Sequence, residues 1–203
     1  MQLNLDSLTP NQTYHVLMQT IIPRPIAWVL SENEDKSLNL APFSYFNAMC
    51  SDPALFVMSI GKKATHERKD TALNLLSGRE FIVHIASTSD AAALTKTAAT
   101  LDYQTSEVEH SNLELTEFPG GQLPRLANCN IAYRCSLYDH HLVGPGEQAF
   151  IYAQAHSVYL DDSVANETDG RVKVSANKVD PLARLGANEF AGITDTFKVT
   201  RPK

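Results

Sequence analysis

The sequence has few cysteines, no excess of positive charge and no long apolar run. It contains 17 lysines and arginines against 23 aspartates and glutamates, for a net charge of −6. Because binding to nucleic-acid phosphates needs a basic face, this balance argues against a general nucleic-acid partner. No stretch approaches the roughly 20 apolar residues of a membrane-spanning helix. Residues 1–6 lack the features of a secretory signal, so we expect a cytoplasmic protein.

The cysteines do not suggest a disulfide framework. They number three, and Cys129 and Cys135 lie six residues apart in a segment with strand character. At about 3.3 Å per residue they would be separated by ~20 Å, whereas a disulfide needs Cα atoms within about 7 Å. We therefore expect reduced thiols, in agreement with a cytoplasmic location. Since repeats and flexible linkers are also absent, residues 1–203 are expected to form a single domain.

Most of the chain is patterned as short β-strands. Apolar or alternating runs predict strands at residues 25–30, 38–46, 55–60, 80–86, 130–141 and 148–160. Helices are expected near residues 69–76 and from residue 89 or 90 to 97, with a helical turn near Ser106 in an irregular segment, 100–126. Six or seven mostly antiparallel strands with short helices indicate a mainly β fold, a β-barrel with helical insertions.

The first predicted strand is apolar on both of its faces. Residues 25–30 have the sequence PIAWVL, with no polar side chain to turn toward water. A strand of a half-solvated sheet would alternate between apolar and polar residues. We therefore expect one face of this strand to fill the barrel and the other to be covered by a helix or a second subunit.

Prolines stand at the start of this strand and in the strand that returns beside it. Pro23 and Pro25 restrict the backbone around Arg24 to extended conformations, which constrains the direction of its guanidinium. Pro42 lacks a backbone N–H, which suits an edge strand against which a flat ligand could lie. The alternative is a twisted strand pair with edge prolines and no ligand.

A second candidate element follows the strand at residues 55–60. Ser59 and Gly61 end the strand, a basic loop follows, and a helix begins near Lys69 and Thr71. Amides, hydroxyl and ammonium groups could converge there on a phosphate. The alternative is a solvated basic loop before an ordinary helix.

Other chemically active residue types give weaker signals. Asp139, His140 and His141 are adjacent strand residues whose side chains point to opposite faces, so we assign no metal site. His84 and His156 lie in strand patterns typical of hydrogen-bonded core or interface histidines. We assign no catalytic acid, base or nucleophile. No Gly-x-Gly-x-x-Gly motif follows a strand, so a Rossmann dinucleotide site is not supported.

Taken in order, the motifs resemble those of the flavin reductase-like, FMN-binding split-barrel family. The resemblance spans residues 21–193 and rests on the segments RPIAWV, NLAPFSYFNA, SDPALFVMSIG, KDTALNLLSGREFIVHI, DGRV and DPLARLG. It implies a Greek-key antiparallel split barrel and a homodimer that binds FMN, or in some members FAD, near the subunit interface. It also implies reduction of free flavin, or electron transfer to a partner such as an oxygenase, with NADH or NADPH as the electron donor.

The resemblance implies a cofactor site when its motifs are transferred position by position. The flavin ring and ribityl chain would run along Arg24, Pro25, Ile26, Ala27, Asn39, Ala41, Pro42, Phe43, Ser44 and Asn47. The phosphate would meet Ser44, Ser59, Gly61, Lys69 and Thr71. Lysine and hydroxyl groups suit a dianion, whereas the apolar end of a flavin ring prefers apolar surface.

Two alternatives remain open from the sequence. One is an FMN-binding electron carrier of the same fold with little NAD(P)H turnover. The other is a flavin-free barrel that acts as a binding module.

Overall fold

The computed structural model describes residues 1–102, 105–200 and 202; Tyr103 and Gln104, in the expected irregular segment, lie outside them. Within these residues the helices are α1 (Pro10–Thr20), α2 (Asp70–Leu76), α3 (Ala91–Lys96), α4 (Glu107–His110) and α5 (Ala176–Val179). The long strands are β1 (Ala27–Glu32), β2 (Leu38–Phe43), β3 (Phe46–Ser51), β4 (Ala54–Ile60), β5 (Phe81–Ile85), β8 (Ile131–Val143) and β9 (Gln148–Leu160). The short strands are β6 (Leu115–Thr116), β7 (Arg125–Leu126), β10 (Ala165–Thr168), β11 (Arg171–Val174), β12 (Ala183–Arg184) and β13 (Phe190–Ala191). No helix of the described part is both long and apolar enough to cross a bilayer.

The seven long strands form one antiparallel sheet that curls into a barrel. Their order is β2-β1-β5-β8-β9-β4-β3, which puts β2 and β3 at opposite edges. Only Ser44 and Tyr45 connect these two edges along the chain. Because two residues cannot span a flat seven-stranded sheet, the edges must come together at this corner, and the amide of Ser59 in β4 donates to the Tyr45 carbonyl there at 2.9 Å, which continues the β3–β4 pairing. The mainly β barrel with helical insertions is confirmed.

The barrel has an inner and an outer apolar core, and β1 contributes to both. Ala27 and Val29 point inward, where they join Met58, Phe81 and Ile151. Helix α2 closes this inner core with Ala72 and Leu75. The outer core holds Trp28 and Leu30 together with Leu94 of α3 and Val108 of α4. The expectation that one face of β1 fills the barrel and the other lies under helices is confirmed, and each large side chain so buried contributes about 1.5–3 kcal/mol.

Besides the short strands and α5, which were not expected, three differences from the expected elements concern the barrel and the chain that leads into it. The return strand expected at residues 38–46 is two strands, because the chain bends at the Ser44–Tyr45 corner. Strand β1 begins at Ala27, two residues after Pro25, and ends at Glu32, two residues beyond the expected end. Helix α1 was not anticipated, although Thr9 and Gln12 form a reciprocal capping box at its start. This helix buries only Met18, so it lacks the apolar stripe that usually identifies a helix.

The outer edge of β2 is covered by side chains of the turn that leads into α4. Ser106 Oγ donates to the Leu38 carbonyl at 2.7 Å, and the Leu40 amide donates to Glu107 Oε2 at 3.0 Å. Alternate residues of a strand direct their backbone groups to the same side, so Pro42 also faces the open edge. A missing N–H at Pro42 therefore removes no bond to β1, as expected for an edge proline.

His84 is a fully buried residue of β5. Its Nδ1 lies 3.0 Å from the Trp28 carbonyl, and its Nε2 accepts from the Leu126 amide at 2.9 Å. This pair of bonds holds the neutral imidazole with its hydrogen on Nδ1. Burial, which disfavours the charged form, lowers the pKa of His84 to about 4. The interpretation of His84 as a hydrogen-bonded core histidine is confirmed.

We expect His84 to make the protein less stable in acid. The unfolded chain binds a proton at this residue below its ordinary pKa of 6.5, whereas the folded chain does so only near pH 4. The contribution is therefore complete above pH 6.5 and is lost as the pH falls toward 4, with a loss of about 2 kcal/mol between pH 7.5 and 5. The free energy of unfolding of His84→Phe should be lower than that of the wild type at every pH. Between pH 7.5 and pH 5, however, it should fall by about 2 kcal/mol less than that of the wild type.

Urea unfolding at pH 7.5 and pH 5 checks this expectation. His140→Asn, on the exposed end of the β8–β9 hairpin, is the matched control and should behave as the wild type does. If the free energy of unfolding falls equally in the wild type and in His84→Phe, the lowered pKa assigned to His84 is wrong.

Candidate functional site

A pocket lies between the edge strand β2, the start of α2 and the chain that follows α3. Of the residues expected at a cofactor site, those that line it are Asn39, Ala41, Pro42, Phe43, Lys69 and Thr71. Further lining residues, which sequence reasoning missed, are Lys63, Asp70, Thr97, Ala98, Ala99, Thr100, Leu101 and Glu107. The barrel thus brings together two segments that are about 30 positions apart in the sequence.

Of the two lysines in the pocket, one is paired with a carboxylate and the other is not. Lys63 Nζ lies 2.7 Å from Asp70 Oδ1, a largely buried ion pair. Lys69 Nζ lies 5.7 Å from the centre of the Phe43 ring. No carboxylate within ion-pair distance of Lys69 is found in the part of the chain that the structure describes. Desolvation lowers the pKa of Lys69, as expected for a cation held against an apolar surface without a counter-charge.

Asn39 and Thr71 join the two sides of the pocket. Asn39 Nδ2 donates to Thr71 Oγ1 at 2.8 Å and to Ser31 Oγ at 3.2 Å. Both residues are buried. Strand β2 and helix α2 are therefore connected by a hydrogen bond at the base of the pocket.

The far wall of the pocket consists of the chain after α3 and the buried Glu107. Thr97 Oγ1 accepts from the indole N–H of Trp28 at 2.8 Å, which attaches this wall to the outer core. Burial raises the pKa of Glu107, and the bond from the Leu40 amide opposes this effect. The sequence signal for this turn was the Ser106 cap, which predicts the helical turn but not its contact with β2.

Four other expected site residues lie around the Ser44–Tyr45 corner and do not line the pocket. Ser59 Oγ accepts from Gln148 Nε2 at 2.9 Å, and a side chain at Gly61 would meet Gln148 Oε1 at 3.3 Å. Asn47 is exposed on the edge strand β3, and Ser44 is half-buried beside Arg24. The residues expected to meet the phosphate are thus divided between this corner and the start of α2.

Arg24 is turned into the protein and is not presented at the rim of a cleft. Its Nη1 donates to the Met18 and Ile21 carbonyls at 2.6 and 2.8 Å, and its Nη2 donates to the Leu185 carbonyl at 2.8 Å. Its Nε lies 3.3 Å from Ser44 Oγ. Burial lowers the pKa of Arg24, yet a guanidinium with this many acceptors remains charged. The guanidinium thus clamps α1, the Leu185 loop and Ser44 together, and its expected contact with a ligand stays a prediction.

The neighbours of Arg24 also present little side chain to a ligand. Pro25 is exposed, whereas Ile26 and Ala27 are 4% and 0% exposed in the outer and inner cores. Ile26 and Ala27 are therefore open to a ligand only through their backbone, whereas the ring of Pro25 is accessible.

The remaining candidates lie away from the pocket. His156 Nε2 lies 2.7 Å from Ser136 Oγ in a groove on the outside of the barrel. All three cysteines are free. The described residues contain no cluster of three or more histidine, cysteine or acidic side chains suited to a metal ion.

We expect Arg24→Lys to destabilise the fold. A lysine ammonium cannot reach three backbone carbonyls on two segments, and each lost bond from a charged donor costs about 1.5–3 kcal/mol. The free energy of unfolding should fall by about 2–3 kcal/mol in urea titrations. Arg171→Lys, on the exposed strand β11, is the matched control and should change it by less than about 0.5 kcal/mol. Equal stability of both variants would show that the clamp is dispensable.

Comparisons with known proteins agree with this architecture. The Flavin reductase like domain matches residues 18–177. The uncharacterized protein BH2278 of Halalkalibacterium halodurans is 32% identical over 206 residues, covering 100% of this chain and 97% of that protein.

Two solved structures are similar over nearly the whole chain. Nitrilotriacetate monooxygenase component B from Bacillus cereus is 30% identical with a TM-score of 0.89, covering 98% of each chain. The 2-nitrobenzoate 2-nitroreductase from Pseudomonas fluorescens is 28% identical with a TM-score of 0.86, covering 100% of this chain and 96% of that one. The fold is the split barrel of FMN-binding proteins. The chain therefore belongs to the flavin reductase-like family, a flavin-binding family.

Proposed function

We propose that this protein is an FMN-dependent oxidoreductase that takes electrons from NADH or NADPH and passes them to free flavin or to a partner protein. The principal support is the pocket in which six of the expected cofactor residues meet. It combines the ammonium of Lys69, which has no carboxylate partner among the described residues, with the apolar surface of Ala41, Pro42 and Phe43 beside it. A flavin mononucleotide needs both kinds of surface, because it carries a phosphate dianion and a largely apolar ring.

Each part of the cofactor has a counterpart in this proposal. The phosphate binds to Lys69 and Thr71, with Ser44, Ser59 and Gly61 toward its outer side. The ring lies along Ala41, Pro42 and Phe43, where the missing N–H of Pro42 leaves the strand edge without a donor. Asn39 and Asn47 meet the polar part of the molecule between these ends. Arg24, Pro25, Ile26 and Ala27 contribute through backbone atoms and through the clamp on Ser44. FAD is the alternative cofactor, since the first mononucleotide of both molecules is the same.

The protein contributes binding, orientation and electrostatics. A bound flavin supplies hydride and electron transfer, which no side chain of the pocket can perform. With a flavin bound, the edge of β2 would support the ring, and residues 97–101 on the far wall would shield it from water. Lys69 favours negative charge in the pocket, so it would stabilise the phosphate of the ligand.

An acceptor and a second subunit complete the proposal. The similar component B protein is part of a nitrilotriacetate monooxygenase, which supports an oxygenase as the partner. The similar nitroreductase supports a small nitro compound as a second class of acceptor. A homodimer is supported by the exposed edge of β3, where Asn47 and Met49 are open to solvent. We place this single-domain protein in the cytoplasm because its three thiols are free.

We expect the double variant Lys69→Ala/Thr71→Ala to bind FMN more weakly. Loss of a charge-assisted phosphate contact costs about 1.5–3 kcal/mol, or roughly 10- to 150-fold in dissociation constant. Riboflavin, which has no phosphate, should bind as it does to the wild type. Flavin fluorescence titration measures both. Lys62→Ala, which removes a lysine paired with Glu147 outside the pocket, is the matched control and should leave both affinities unchanged. Unchanged FMN affinity in the double variant would place the phosphate elsewhere.

We expect anaerobic NADH or NADPH to bleach the visible absorbance of protein-bound FMN. Stopped-flow mixing measures the rate, and comparison of the two nucleotides gives the preferred donor. Flavin that stays oxidised with both nucleotides would favour an electron carrier. Protein that takes up no FMN in titration would favour a flavin-free binding module.

A further inference from the structure

A ring of buried polar side chains connects α2 to the first two strands beneath the pocket. Its members are Ser31, Asn39, Thr71 and Asn74, which we call the polar clasp. Each is at most 3% exposed. Buried polar groups destabilise a fold unless they are hydrogen-bonded, so the bonds among these residues are required for the packing of α2.

The clasp links two residues on neighbouring strands to two residues on one helix face. Ser31 and Asn39 are direct partners in the β1–β2 ladder. Thr71 and Asn74 are three residues apart on α2 and therefore lie on the same face. Asn39 Nδ2 donates to Thr71 Oγ1 at 2.8 Å, and Asn74 Nδ2 donates to Ser31 Oγ at 3.1 Å. Asn39 Nδ2 also donates to Ser31 Oγ at 3.2 Å, which joins the two contacts.

Asn74 is anchored from its other side as well. Its Nδ2 donates to Asn33 Oδ1 at 2.7 Å, and Asn33 Nδ2 donates to Ser37 Oγ at 2.9 Å. Asn74 is therefore fixed to the β1–β2 hairpin by two acceptors. It does not line the pocket.

The clasp includes residues from both sides of the pocket, the α2 side and the β2 side. Thr71 belongs to the clasp and follows Lys69 by two residues, and Asn39 belongs to it and precedes Ala41 by two residues. Ala72 and Leu75 also hold α2 in the inner core, but apolar contacts are non-directional and permit small shifts. Hydrogen bonds depend steeply on distance and angle. The clasp is thus a directional contact that ties the helix starting beside Lys69 to the strand that carries the apolar edge.

We propose that Asn74 is a positioning residue that, through Ser31 and Asn39, fixes how the start of α2, with Lys69 and Thr71, lies against the apolar edge of β2. This inference rests on the proposed function. Its consequence is selectivity for a phosphate: the affinity of a ligand that contacts both the start of α2 and the edge of β2 depends on the clasp, whereas that of a ligand that contacts only the edge of β2 does not. The clasp therefore favours phosphorylated flavins over riboflavin beyond the attraction that Lys69 supplies.

The test compares FMN and riboflavin binding in Asn74→Ala by fluorescence titration. We expect FMN affinity to fall about 10-fold, the equivalent of one lost hydrogen bond of about 1.4 kcal/mol. Riboflavin affinity should change by less than about twofold. Leu73→Ala, on the exposed face of the same helix, is the matched control and should keep the wild-type ratio of the two affinities. Ser31→Ala removes the acceptor shared by both asparagines and should lower the ratio as Asn74→Ala does, so the test holds even where one variant fails to fold.

The outcomes separate this inference from the proposed function. Equal losses for FMN and riboflavin, or no loss for either, overturn the positioning role while the wild type still binds FMN. Wild-type protein that takes up no FMN overturns the proposed function and this inference together. A selective loss of FMN affinity in both clasp variants, with Leu73→Ala unchanged, supports the inference.

Discussion

The two-residue connection at Ser44 and Tyr45 constrains the rest of the structure. Strands β2 and β3 lie at opposite edges of a seven-stranded sheet, and so short a connection can join them only when the sheet curls until its edges meet. The bond from the Ser59 amide to the Tyr45 carbonyl continues the β3–β4 pairing into this connection. Curling creates an inside and an outside, which explains why β1 must be apolar on both faces. It also leaves the outer edge of β2 open beside α2, where the pocket lies.

An open strand edge needs partners for its backbone groups, and different neighbours supply them along β2. Ser106 and Glu107 take the place of a neighbouring strand at Leu38 and Leu40. At Pro42 no donor exists, so this part of the edge requires no such partner. The edge is thus satisfied on one side of the pocket and available to a flat molecule on the other. Pro42 therefore marks the point along β2 where the edge bonded to Ser106 and Glu107 gives way to the edge that we propose binds the ligand.

Charge in the pocket follows from the same arrangement. Lys63 is neutralised by Asp70, whereas Lys69 lies against Phe43 with desolvation lowering its pKa. A cation held without a carboxylate partner is an unfavourable arrangement that an anionic ligand relieves. The adjoining polar clasp ties the helix that starts beside this cation to the strand that carries the apolar edge. Arg24 does not add to the charge of the pocket, because its guanidinium is directed into the protein and hydrogen-bonded to backbone carbonyls.

Local patterns in the sequence were sufficient to determine the kind of fold and to select six of the residues that line the pocket. Apolar runs and turn residues predict the strands, the β8–β9 hairpin and α2, and the order of motifs identifies the family. Asn39, Ala41, Pro42, Phe43, Lys69 and Thr71 were selected from the sequence and meet in one pocket. Helix α1 was missed because it is mostly exposed, so that its residues lack an apolar period.

Only the tertiary structure decided how side chains are partnered across distant segments. The inward turn of Arg24 depends on carbonyls of Met18 and Leu185, which no local pattern relates to it. The roles of Glu107 and Asn74 likewise depend on contacts with β2 and β1 across long stretches of chain. A sequence determines which groups are available and which backbone shapes are favoured. Hydrogen bonds between distant residues form only once closure of the barrel has brought their partners within reach, and this closure decided the site.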